Sequence, residues 1–405
     1  MTVWQFNFGF RLAIYDILII IFIFLAISYF FFKEEKILID SNLKILVFFL
    51  FSWLILIMLS SQVILTNFPN PESISQYMKG LFNVIIRAMF LILFVFFLLT
   101  LNYLQRNKIA TLFFVGVILS SFFGFLEFIT RLLYDIDLNL IVWDKISFNA
   151  NREEEFMLDS KYGILGLRRV NGFTGGPPSH ATYIMTALPF YFVNTIQNKK
   201  LSLSILLLSF LLLVLGLTMS RTGFLSLLIA IAVYMILEPS KITKNLMAIL
   251  LILSPMFIFT VVYWEYIEAI LFTRFNMDSV RLTMYKSVMP LLEEFTLFGV
   301  GYNNYSIARF ALESHDSNLH NSWLSIWVEL GLIGFLFQIF YFGFILKTVL
   351  KFESKYSIPL FVSLCGLIVG GIFNSLFDLF YFQFWIVLFF TTIILEQKFS
   401  PTNSN

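Results

Sequence analysis

Eleven stretches of apolar residues, most of them close to twenty long, recur along this chain, and a soluble core has no use for so many. They cover 13–32, 44–66, 81–103, 110–130, 181–196, 201–219, 222–237, 246–263, 322–346, 358–376 and 381–395. About twenty helical residues at roughly 1.5 Å each span a hydrocarbon layer of about 30 Å. A lone segment in lipid must satisfy its own backbone, so each run predicts a helix. Composition agrees: 59% of the 405 residues are hydrophobic and 13% charged, against about 45–50% and 25% in soluble domains. The expected fold is therefore an all-α polytopic membrane protein with about eleven transmembrane helices. With no internal repeat or low-complexity linker, it is expected to form one integral domain over 1–405.

Several classes fall away early. The net charge is +2 and no basic run is long enough for nucleic acid. The single cysteine, Cys365, excludes an internal disulfide and a cysteine-only metal cluster. The first apolar run is followed by Lys33-Glu34-Glu35-Lys36 instead of a small-residue cleavage site, so it is read as a retained helix.

Positive charge sets the orientation. Lys33, Lys36 and Lys44, Arg106 and Lys108, Lys199 and Lys200, Lys241 and Lys244, and Lys347, Lys351 and Lys355 fall in alternate connections. The positive-inside rule makes these cytoplasmic. The long polar segments 131–180 and 264–321 then share the opposite, periplasmic face, as does the turn at Ser220–Thr222. Loops this long are usually functional. In the second, Val280, Met284, Val288, Leu291, Leu292 and Phe295 recur at helical spacing and predict an amphipathic surface helix, capped by Asp278 or Ser279.

Three stretches carry candidate chemistry. In LTMSRTG, Arg221 sits at the tip of a tight turn. It is either an interfacial arginine snorkelling to the headgroups or a planar clamp for phosphate. In RRVNGFTGGPPSHATYI, turn chemistry explains the glycines and prolines, and Ser179 can cap a helix starting near His180. It does not explain Arg168 and Arg169, which suit a second phosphate or sugar contact. In HDSNLHNSWLSIWVELGLIG, helical spacing puts His320, Trp323, Leu324 and Trp327 on one face, while Gly331 and Gly334 invite a neighbouring helix. The bland reading of His320 is a helix-start residue in an aromatic belt. Metal binding is disfavoured, since His315 and His320 are five apart with no supporting ligand pattern. Arg87, Glu329 and Asp378 fall in apolar runs and are costly if they face lipid. Arg87 lies near a run end, where snorkelling accounts for it; Asn374 and Asp378 are expected on one helix face.

Taken in order, the SRTG turn, the segment RLTMYKSVMPLLEEFTLFGVGYNNY and the pattern His320-Asn321, nine residues, Gly331, two residues, Gly334 resemble the O-antigen ligase and O-antigen polymerase superfamily. The resemblance covers roughly 165–340. It implies a multi-helix glycosyltransferase of the lipid-linked-sugar (GT-C-like) type in the bacterial inner membrane, open to the periplasm. Such enzymes move glycan from an undecaprenyl diphosphate carrier to an acceptor, without a cofactor or metal. The leaving diphosphate gains charge in the transition state, which fixed cations stabilise. On that reading Arg221 is the principal clamp, with Arg168, Arg169, Arg281 and His180 as substrate contacts. His320 is the base for the acceptor hydroxyl, an imidazole with an ordinary pKa of about 6.5 being suited to neutral pH. Asn321 orients it or meets sugar, and Trp323 or Trp327 faces a sugar ring. The implied partners are an undecaprenyl-diphosphate-linked oligosaccharide, membrane lipid and a polysaccharide chain-length regulator, with no nucleic acid. The Pro-Ser before a helix leans toward the polymerase and the full His-Asn signature toward the ligase. A transporter of lipid-linked sugars is the competing class; broken helices and internal repeats would favour it.

Overall fold

The computed structural model describes residues 5–7, 11–32, 39–67, 71–134, 136, 138, 169–174, 176–197, 202–239, 285–286, 288–305, 319–377 and 379–398. Ten helices of fourteen residues or more run through them: α1 (Ile14–Phe32), α2 (Ser41–Asn67), α3 (Pro71–Thr100), α4 (Tyr103–Tyr134), α5 (Pro177–Gln197), α6 (Ser202–Thr218), α7 (Arg221–Leu237), α8 (Ser322–Lys351), α9 (Ser357–Gly370) and α10 (Phe380–Lys398). A short antiparallel hairpin precedes them, β1 (Gln5–Asn7) against β2 (Arg11–Ala13), with Gln5 opposite Ala13. That hairpin is a small departure from the all-α expectation.

Five stretches are long and apolar enough to cross a bilayer: Ser41–Asn67, Tyr77–Thr100, Tyr103–Tyr134, Ser322–Lys351 and Phe380–Gln397. Shorter apolar helices accompany them, among them Leu203–Thr218, Arg221–Leu237 and Ser357–Gly370. Phe24, Phe48, Leu112 and Ile236 are exposed on the outer faces, as side chains that meet lipid are. This is the construction of a polytopic membrane protein. The expected helix over 246–263 lies outside the described residues, as do Arg168, Asp278, Ser279, Arg281, Met284, His315 and Asp378.

The chain divides into two compact units. The first contains most of α4 with α5, α6, α7 and α9. Its tightest contact is α9 on α7, where small residues face each other. A Cβ on Gly366 would lie 2.3 Å from the Ser226 carbonyl oxygen, and one on Gly370 2.3 Å from Ser226 Oγ. The Gly366–Gly370 spacing is the small-xxx-small pattern that lets helix backbones approach in lipid. Ser363 Oγ donates to the Met185 carbonyl at 2.6 Å and ties α9 to α5.

The second unit contains α1, α2, α3, α8 and α10. Its feature of consequence is a break in α8. Gly331 has φ 66° and ψ −168°, so the helix stops and restarts there. A broken helix leaves carbonyls and N–H groups that lipid cannot satisfy. The segment 296–301 supplies the missing partners. Val300 N donates to Val328 O at 2.8 Å and Gly301 N to Glu329 O at 3.0 Å, while Leu332 N donates to Thr296 O at 2.8 Å. A Cβ on Gly331 would meet the Leu297 carbonyl oxygen at 2.1 Å. Gly331 therefore admits a loop backbone, where the sequence suggested a neighbouring helix. Just before that loop, residues 288–294 are helical. Val288, Leu291 and Leu292 are buried with Val328 of α8, and Leu324 and Trp327 pack against them.

Candidate functional site

Residues of chemical interest occur in both units. In the first, everything turns on the junction between α6 and α7. Met219 takes a left-handed conformation (φ 48°) to end α6. Ser220 then caps α7, its side chain accepting from Gly223 N at 3.3 Å. Gly223 is required because a Cβ there would lie 2.8 Å from Cβ of Ala181 on α5. Thr222 is buried against the α9 glycine Gly370. Turn geometry and packing thus explain the serine, threonine and glycine of SRTG. Arg221 is different: it is half-buried in the first turn of α7. A helix N-terminus carries partial positive charge and disfavours a cation. The same terminus presents N–H groups, of which that of Gly223 is taken by the Ser220 cap.

Arg169 comes to the same junction. Its Nε donates to the Thr218 carbonyl at 2.9 Å, and Val170 N donates to the Leu217 carbonyl at 3.3 Å. These are carbonyls of the last turn of α6, which have no partner within the helix. The strap 169–174 is held from its other side by α4. Glu127 Oε2 accepts from Asn171 N at 3.1 Å and Gly172 N at 3.3 Å. Ser120 Oγ accepts from Phe173 N at 3.1 Å, and Arg131 Nη1 donates to the Arg169 carbonyl at 3.0 Å. Arg131 Nη2 lies 2.6 Å from Glu127 Oε1, one helical turn away, and both side chains are buried. Sequence reasoning missed this pair. Its signal was available as an i, i+4 acid–base pair inside LEFITR, at the edge of an apolar run.

His180 lies in the first turn of α5, which starts at Pro177 instead of at a Ser179 cap. Proline at a first helical position costs no hydrogen bond. The His180 ring is fully buried. A Cβ on Gly172 would lie 2.3 Å from its Cε1 and one on Gly124 3.1 Å from its Nε2. Neither ring nitrogen has a hydrogen-bond partner among the described residues. His180 is thus enclosed behind the strap, where two glycines make room for it.

In the second unit, His320 precedes α8 and is not on its face. It has a left-handed backbone (φ 46°) and is half-buried. Such a conformation in a non-glycine residue costs of order 1–3 kcal/mol and concentrates at functional sites. Asn321 is the N-cap: its side-chain oxygen accepts from Leu324 N at 3.0 Å. Ser322 locks the pair in place. Its N donates to the Gly371 carbonyl at 2.7 Å, and its Oγ donates to the Asn374 carbonyl at 2.7 Å and accepts from Leu376 N at 2.6 Å. Residues 371–377 form this turn and are not helical, which corrects the shared helix face expected for Asn374 and Asp378. Trp323 packs edge-on against Phe377 at 5.0 Å, and Trp327 packs against Phe335 at 5.3 Å.

The structure therefore gathers Arg169, Arg221 and the start of the His180 helix in one unit, and His320, Asn321, Trp323 and Trp327 in the other. Among the described residues no group of three or more His, Cys, Asp or Glu side chains is arranged to hold a metal.

Residues 205–339 match the family model described as O-antigen ligase. The matched third of the chain runs from within α6 to within α8 and includes Arg221, His320, Asn321, Gly331 and Gly334. It is consistent with the O-antigen ligase and polymerase superfamily that the motifs resemble. Comparison with curated proteins found no match.

Proposed function

We propose, from the premise of an O-antigen ligase region at 205–339, that this chain is a surface-polysaccharide polymerase of the bacterial inner membrane. It joins undecaprenyl-diphosphate-linked oligosaccharide repeat units at the periplasmic face. The observation that carries the reading is the α6–α7 junction, where Arg221 occupies a helix N-terminus and Arg169 docks three residues upstream. Two guanidinium groups beside a helix N-terminus suit a diphosphate in charge.

In this mechanism Arg221 and Arg169 hold the diphosphate of the donor, with Arg281 and Arg168 assisting. On the His-Asn signature alone, and not on any placement relative to the arginines, His320 is assigned as the base that takes the proton of the acceptor hydroxyl as that oxygen attacks the anomeric carbon. The glycosidic bond to the diphosphate breaks, and its developing charge is met by cations already in place. Attack opposite the leaving group inverts the anomeric centre. Asn321 holds the end of α8 so that His320 keeps its position, and Trp323 or Trp327 offers a ring edge or face to sugar.

The second reading is a ligase that transfers the glycan to lipid A-core. The description of the matching family model and the full His-Asn signature favour it. The broken α8 is the feature expected of a transporter, yet loop backbone of the same chain fills that break, so it offers no open ion site. Glycan analysis by gel distinguishes the readings in a strain lacking the gene. Lipid A bearing a single repeat unit means polymerase; long chains that stay on the lipid carrier mean ligase. Normal polysaccharide in that strain contradicts both.

A further inference from the structure

A cleft lies within the second unit, between α2, α3, α8 and α10. Half of the residues lining it are aromatic: Trp53 stacks on Phe337 at 5.7 Å, and Phe49 contacts the same ring at 5.3 Å. Among the described residues that line it, Arg87 is the one that is charged.

Arg87 is deeper than its sequence position suggested. Helix α3 begins at Pro71, so Arg87 lies sixteen residues inside the helix, seven past the end of its polar stretch PESISQYMKG. Its guanidinium carbon lies 6.0 Å from the Phe380 ring centre.

Gln338 supplies a second, independent sign. It is 3% exposed, sits midway along α8 and lines the cleft, and its Nε2 has no hydrogen-bond partner among the described residues. The neighbouring amide behaves otherwise: Gln383 accepts from Tyr341 Oη at 3.3 Å and donates to the Phe377 carbonyl at 2.9 Å. Buried donors are normally satisfied, and an orphan lining a cavity marks a place where a ligand oxygen fits. A cation and an orphan N–H lining a partly aromatic cleft select an anionic oxygen head carried on a hydrocarbon chain.

We infer that this cleft binds a phosphate-headed membrane lipid, with its phosphate at Arg87 and Gln338 and its chain along Phe49, Trp53 and Phe337. Two sources share that chemistry, a bilayer phospholipid and a polyprenyl phosphate. The inference does not depend on glycan transfer. The cleft does border the turn 371–377 that fixes the start of α8, because Phe377 lines it and its N–H donates to Ser322 Oγ at 3.4 Å.

The test uses purified full-length protein given phosphatidylglycerol, undecaprenyl phosphate, or a diacylglycerol with the same chains and no phosphate. Bound lipid is counted by native mass spectrometry. Wild type should retain one phosphate lipid per chain at least about tenfold better than diacylglycerol, the factor expected for charge-assisted hydrogen bonds. Arg87→Met should abolish that preference. Gln338→Leu fills the same space without a buried donor; it should fold and bind both phosphate lipids several-fold more weakly. A preference for undecaprenyl phosphate assigns the cleft to the sugar carrier, and parity or the reverse assigns it to bilayer lipid. Equal retention of diacylglycerol by wild type, or an undiminished phosphate preference in the variants that fold, overturns the inference. Binding is read without transfer, so either result leaves the proposed reaction to its own test.

Discussion

Arg169 is fastened to the carbonyl of Thr218 at 2.9 Å, three residues before Arg221, so two arginines from distant segments meet at the α6–α7 junction. If they hold a diphosphate there, removing either charge should act on transfer more than on folding. Arg221→Ala is expected to lower the transfer rate by about 10²- to 10³-fold, the cost of losing one fixed transition-state donor. Arg221→Lys keeps the charge and loses the planar fork, and should recover only part of the rate. Single-turnover assays on purified protein measure both.

The strap that carries Arg169 depends on a buried ion pair. Glu127→Leu strips the partner from Arg131 and the acceptor from two backbone N–H groups. Breaking one side of such a pair costs about 3–5 kcal/mol. The variant should show a large fall in thermal midpoint or in folded yield, and Glu127→Leu with Arg131→Leu should recover part of it. A wild-type midpoint in Glu127→Leu would show that the pair does not hold the strap.

Gly331→Ala should be among the most damaging single-methyl additions. The residue combines a left-handed φ with a Cβ position 2.1 Å from the Leu297 oxygen. Neither the backbone nor the stitched loop can yield without losing hydrogen bonds. Chromatography of a fluorescent fusion should show little folded protein. Gly343→Ala on the same helix makes a fair control, since nothing lies within 4 Å of a Cβ there.

Asn321 can be separated from His320 by choosing the replacement. Asn321→Ala removes the N-cap of α8 and should cost about 1 kcal/mol. Asn321→Asp keeps a capping oxygen and should keep stability. If Asn321 serves only to hold the helix end, Asn321→Asp also keeps activity; loss of transfer at full stability would mean that its amide meets the sugar.

Much of the fold was legible, for a physical reason. Helices in lipid are long and apolar throughout, so α1, α2, α5, α6, α7 and α10 start and stop within a few residues of the apolar runs that announce them. Helix α3 extends about ten residues further back because PESISQYMKG is helical yet polar, and hydropathy is blind to that. The break at Gly331 was hidden because apolar residues continue on both sides of it; only the backbone conformation reveals it. His320 was expected on a face of α8 and instead precedes the helix, since its left-handed backbone leaves no trace in spacing. Glu127 and Arg131 escaped because a charge pair at the end of a run reads as an interface, whereas their geometry makes them the anchor of the Arg169 strap.

The most direct measurement is transfer by purified protein in liposomes that contain undecaprenyl-diphosphate-linked oligosaccharide, comparing wild type with His320→Asn. Asparagine accepts the left-handed backbone at this position, so the variant should keep the wild-type thermal midpoint. Wild type should release undecaprenyl diphosphate and lengthen the glycan, while folded His320→Asn should do neither at a detectable rate. Wild-type elongation by His320→Asn, or an intact lipid-linked donor after incubation with wild type and a competent acceptor, would contradict the account.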